Sequence, residues 1–106
     1  MTNSARAHKT ISSTENIDAN ASSTTASLDI NGNDAVGLFV SAVSGTNTTH
    51  IITLQESVDD STFFDSSLFV NQLGSVEGTV TTEFVRAKVT TVEGAASTVT
   101  VSISSK

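Results

Sequence analysis

The stretch ITLQESVDDSTFFDSS, residues 52–67, sets four acids, Glu56, Asp59, Asp60 and Asp65, around two adjacent phenylalanines and contains no Lys or Arg. Carboxylates this close can ligate a hard cation or exchange protons with a substrate. They can equally form the solvated connection between two β-strands. The flanks decide. In THIITLQES, residues 49–57, His50, Ile52 and Leu54 alternate with Ile51, Thr53 and Gln55, the period of a strand. SLFVNQL, residues 67–73, carries a second short strand. A calcium loop also wants oxygens at alternate positions and a Gly for its sharp turn; here the spacing fits no EF-hand and Gly is missing. The stretch reads as a turn, with no metal assigned. Phe63 and Phe64 are neighbours, so in an extended chain they point to opposite sides. One is expected to cap the end of a core, the other to face a partner.

The same period recurs on both sides of this stretch. Ala26, Leu28 and Ile30 share a face in TTASLDI, and Val36, Leu38, Val40 and Ala42 share one in AVGLFVSAV. Between them, Asn31-Gly32 is a strong hairpin signal, because both positions tolerate φ > 0. Gly37 predicts a bulge or a close approach of backbone. EFVRAKVTTV, residues 83–92, puts Val85, Ala87 and Val89 inward with Arg86 and Lys88 outward. TVTVSIS turns Val99, Val101 and Ile103 inward, and the short EGAAS link predicts that these last two strands form a hairpin. Seven or eight short strands, a turn about every 10 residues and no helical period predict an all-β fold, an antiparallel β-sandwich or jelly roll.

Residues 1–23 differ from the remainder. Their large apolar side chains are chiefly Met1, Ile11 and Ile17, too few to bury much surface. The expected organisation is an extended N-terminal arm over 1–23, in which only residues 7–12 pair as a strand, and a β-sandwich domain over 24–106. The arm holds Arg6 and Lys9, two of the five basic residues, whereas no Lys or Arg lies between Lys9 and Arg86. Arg6, Lys9 and Ile11 of the arm, with Phe63 and Phe64 of the turn, are therefore the candidate partner-binding residues.

Composition narrows the function classes. With 106 residues the chain makes one domain, and with no cysteine it has neither a disulfide scaffold nor a thiolate metal site or nucleophile. Ser and Thr make up about a third of it, but Pro is absent and the threonines alternate with Val, Ile and Leu, so this is strand composition rather than a mucin-like stalk. The net charge of -6 disfavours nucleic acid, which needs clustered Lys and Arg. No apolar run reaches the roughly 18 residues of a membrane-spanning helix. The start, MTNSARAHKT, lacks the apolar core of a secretory signal, which predicts synthesis in the cytoplasm. No nucleophile elbow, phosphate loop or HExxH motif is present, and Trp and Tyr, the usual rings of a sugar cleft, are missing. The expectation is a protein that is not an enzyme and has neither catalytic residues nor a cofactor.

LQES-VDDSTFFD, followed by FVRAKVTT and a closing TVTVSIS, resembles small virion proteins of tailed bacteriophages over roughly residues 28–105. Several of those are capsid decoration or cement proteins with sandwich or jelly-roll folds. Similar sequences often carry Tyr or Trp where Phe84 and the TFFD turn stand, so the all-Phe version here is a departure. The resemblance implies a structural protein on the outer capsid surface of a virion, bound in many copies to the major capsid protein, with homo-oligomers of two or three chains natural for the role. A head- or tail-fibre module that contacts host glycans is the alternative it leaves.

Overall fold

The computed structural model describes residues 10–18, 23–45, 49–93 and 97–106. Nine strands account for most of them: β1 (Ile11–Asp18), β2 (Ser23–Thr24), β3 (Leu28–Asp29), β4 (Ala35–Gly45), β5 (Thr49–Ser57), β6 (Phe64–Asn71), β7 (Gly74–Thr79), β8 (Phe84–Glu93) and β9 (Ser97–Ser105). Every pairing is antiparallel and the pairs are nested. β5 pairs with β6, β4 with β7, β2 and β3 with β8, and β1 with β9. This is one long hairpin, and it is rolled up. Two further pairings, β4 with β9 and β5 with β8, close the roll. The products are a first sheet in the order β1-β9-β4-β7 and a second in the order β2-β8-β5-β6, with β3 continuing the β2 edge along β8. Counting β2 and β3 as one interrupted strand, these are the eight strands of a double-sheet jelly roll.

Alternation explains which side of each strand enters the core. Val36, Leu38 and Val40 of β4, Ile52 and Leu54 of β5, Val85, Ala87 and Val89 of β8, and Val99, Val101 and Ile103 of β9 are all buried between the sheets. Leu68 of β6 closes one side by packing where Gly78 of β7 has no side chain; a Cβ there would stand 2.8 Å from Leu68 Cδ2. Gly78 is therefore a packing requirement of the β6–β7 side.

Four expectations change. First, the Asn31-Gly32 turn forms, with φ of 53° and 85° and a bond from the Asn33 N–H to the Ile30 carbonyl at 2.9 Å. It does not join a hairpin, because β3 lies in the second sheet and β4 in the first. A two-residue turn fixes the reversal of the chain, and the apolar faces decide which sheet receives each strand. Second, β8 and β9 are likewise split between the sheets and are not a hairpin. Third, the inward row of TTASLDI slips: Ile30 is buried, but Ala26 is exposed and Thr25 is buried instead. The Thr25 N–H donates to the Ala87 carbonyl at 2.8 Å and its Oγ1 accepts from the Ala87 N–H at 2.9 Å. The side chain thus replaces a backbone acceptor where the edge strand breaks.

Fourth, residues 11–18 of the expected arm are a strand. All eight pair with β9, and Ile17 enters the core. Few large apolar residues suffice, because a ladder is built from backbone groups; the Thr14–Ser102 hydroxyl pair at 2.9 Å and the bond from the Thr100 hydroxyl to Asn16 Oδ1 at 2.7 Å add to its outer face. The inward Glu15 finds the Ala26 N–H at 3.0 Å and links the two sheets at this edge.

Leu54→Ala should cost about 2–5 kcal/mol in denaturant unfolding, as truncation of a buried Leu does, whereas Thr100→Ala on the outer face should cost about 1 kcal/mol or less. Equal small losses would mean that the register is shifted by one residue. Deleting residues 1–20 should lower the melting temperature by removing β1 and baring the edge of β9.

Candidate functional site

The acidic stretch is the connection of the β5–β6 hairpin, and residues 58–62 are exposed. Its order comes from two side chains. Asp59 Oδ1 accepts from Ser57 Oγ at 3.0 Å, from the Ser61 N–H at 2.9 Å and from the Thr62 N–H at 3.0 Å. Ser57 Oγ in turn accepts from the Asp59 and Asp60 N–H groups at 3.2 and 2.9 Å. Asp60 takes φ of 63°, which an Asp tolerates better than most residues. The bonds from Thr62, Ser61 and Ser57 hold the Asp59 carboxyl below its usual pKa. The four acids do not converge: Asp65 and Glu56 turn to Gln55 and Thr82, at 2.9 and 3.3 Å. Among the described residues no group of three or more His, Asp and Glu could hold a metal ion.

On the outer face of the second sheet, the register sets Gln55 between Arg86 and Asp65, and Thr53 between Lys88 and Phe69. Arg86 Nε donates to Gln55 Oε1 at 2.8 Å, Gln55 Nε2 donates to Asp65 Oδ1 at 2.9 Å, and Lys88 Nζ stands 3.9 Å from the same oxygen. The Arg86 guanidinium lies 4.0 Å from the centroid of Phe63, a cation–π contact of about 0.5–1 kcal/mol at an exposed site. Arg86 and Lys88 therefore face outward as expected, but they are tied into a network with Asp65.

The candidate partner residues do not gather into one site. Phe63 lies on the outer face against Arg86 rather than at the end of the core, because the ring meets a cation there instead of the apolar interior. Phe64 is 68% exposed, as expected of one ring of the pair. Ile11 is half-buried on β1, and its carbonyl accepts from Ser105 Oγ at 3.2 Å. β1 forms one side of its sheet, whereas β6 forms the other side of the second sheet and neighbours β7. Arg6 and Lys9 lie outside the described residues. Phe64 is one of several exposed large apolar residues in this region of the chain. Val58, Phe69 and Leu73 are also exposed large apolar residues, and all four belong to β6 or the turns at its two ends. The alternation of SLFVNQL already turned Phe69 away from Leu68 and Val70.

His50 is a separate feature. It is buried on the inner face of β5, and its Nε2 has no hydrogen-bond partner among the described residues. Burial lowers its pKa below the ordinary 6.5. The unfolded chain therefore binds this proton at higher pH than the folded one. Stability should fall as pH drops below 6.5 towards the lower folded value. His50→Leu should flatten that part of the profile. It should leave the acid loss tied to Asp59, whose contribution is present above 3.8 and disappears as pH falls through its lowered folded value. Urea unfolding across this range checks both signs; an unchanged slope in His50→Leu would show that another group titrates. EDTA and calcium should leave the melting temperature of the native protein unchanged, and Asp59→Ala should speed amide exchange at Ser61 and Thr62.

No family model matches the chain, and no curated protein matches it. A solved structure with a similar fold belongs to Bacillus endospore appendages, which form a novel family of disulfide-linked pili. It aligns with a TM-score of 0.51 at 12% identity, over 93% of this chain and 89% of the other. With no cysteine, this chain cannot make a disulfide link. The likeness is one of fold: an all-β sandwich of two antiparallel sheets.

Proposed function

We propose that this protein is a structural component that docks in many copies on the outer surface of a tailed-phage head and braces neighbouring capsid subunits. The observation that carries this reading is the apolar set on the β6 side. Val58, Phe64, Phe69 and Leu73 are 76%, 68%, 53% and 58% exposed and lie along one strand and its two turns. Exposed large apolar groups along an edge strand and its turns offer contact points for a partner, and aromatic anchors carry much of the energy in such contacts. Phe64 and Phe69 are the proposed anchors, and Arg6 and Lys9 are the basic residues proposed to meet an acidic partner such as the major capsid protein or a sister copy. Net acidity fits the outside of the head, since the lumen holds DNA. A stable contact of about 1,200–2,000 Å² in total would need more than these four side chains. The resemblance of LQES-VDDSTFFD and FVRAKVTT to phage virion proteins is what selects the head over other particles.

Two readings share the structural role. A head- or tail-fibre module would occur in few copies and contact host glycans. A filament subunit is favoured by the fold shared with a pilus-type protein, although any linkage here would have to be non-covalent or use other chemistry. Immunogold labelling of particles and cells made from the source genome separates them. Gold spread over the head shell is the expected result. Labelling confined to a vertex or tail would replace it with the fibre reading, and labelled surface filaments with the pilus reading. Phe64→Ser with Phe69→Ser should leave the melting temperature within a few degrees of native and abolish labelling.

A further inference from the structure

The outer face of the first sheet carries a trough of about 450 Å³ that the docking reading does not use. Register builds it. Ala35 pairs with Thr79 and exchanges backbone bonds with Lys106, at 3.1 and 2.9 Å. Gly37 pairs with Glu77 on one side and Ser104 on the other. Two successive rows across the sheet thus have their smallest residues in the middle and larger ones at both flanks. Phe39, next on the same face, lays its ring back over Gly37, where a Cβ would stand 2.7 Å from the ring. The half-buried ring is the apolar floor, and Glu77, Thr79, Ser104 and Lys106 are the rim.

We propose that this trough binds a saccharide. The side chains of its rim include one carboxylate and one ammonium, and neither has a polar partner among the described residues. By contrast, Arg86 and Lys88 are already tied to Gln55 and Asp65. A cation or an anion would be drawn to one side of the rim and repelled by the other. A neutral ligand that offers both hydroxyl donors and acceptors meets both sides favourably. The Phe39 ring gives the C–H face of a sugar an apolar surface, and the hydroxyls of Thr79 and Ser104 can serve as donor or acceptor. The volume lies in the range of small-molecule sites, about 300–1,000 Å³, which suits a short oligosaccharide. Trp and Tyr are absent from the chain, but the Phe39 ring, packed against Gly37, supplies an apolar surface of the same kind.

Titration of the ¹⁵N-labelled full chain with maltotriose and, separately, with triacetylchitotriose tests this. At least one sugar should shift the amides of Gly37, Phe39, Glu77 and Ser104 saturably at millimolar concentration. Glu77→Gln and Phe39→Leu, conservative changes on an outer face, should keep the remaining spectrum and weaken binding about tenfold each, the size of one polar or stacking contact. No saturable shift with either sugar, shifts gathered elsewhere, or shifts that both variants leave unchanged would overturn the proposal. Because neither Phe64 nor Phe69 lines the trough, either result leaves the docking test independent.

Discussion

The pairing of β4 with β9 holds the rest of the molecule in place. It joins the middle of the chain to its last strand, from Val36 opposite Ser105 to Gly45 opposite Ser97, with one irregularity between Val40 and Ala42. Without it the nested hairpin would be an open ribbon, and neither apolar face would have a partner. With it, Leu38 and Ile103 come to face the sheet that holds Ile52 and Val89. The ordering cost of so distant a contact is offset only when both sheets close on each other. Cooperative folding of the whole chain follows from that.

The roll also distributes the surface. It places β6 and β7 together at one side, and β6 with the turns around residues 58–62 and 72–73 carries four exposed large apolar residues. At the other side β1 is the edge strand among the described residues, yet an inward Glu15 bonded across to Ala26 leaves it poorly suited to further strand addition. The flat outer faces are written in Ser, Thr and Asn, relieved by a salt-bridged network on one sheet and a trough on the other.

Much of this was legible in the sequence because a period of two is a local signal. It correctly assigned the inward Val36, Leu38 and Val40 of β4 and the inward residues of β5, β8 and β9, and identified the acidic stretch as a turn; the irregularity of β4 after Val40, which pairs Ala42 with Thr100, was not foreseen. Strand partnership was not legible. The Asn-Gly turn and the EGAAS link look the same whether the chain reverses within a sheet or crosses to the other, and the difference lies in distant pairings. The strand over Ile11–Asp18 was hidden for a related reason: an edge strand held by backbone and hydroxyl bonds to β9 needs little apolar content of its own. The grouping of Phe39 with Glu77 and Lys106 likewise required the register across strands.

Interstrand nuclear Overhauser contacts give the most direct test of the rolled topology. The predicted result is a ladder of Hα–Hα and amide contacts linking Leu38 with Ile103, Ile52 with Val89 and Ser13 with Ile103. A ladder between β8 and β9, with none between β4 and β9, would instead describe a chain of simple hairpins, and the trough and the β6 surface would both lose their basis.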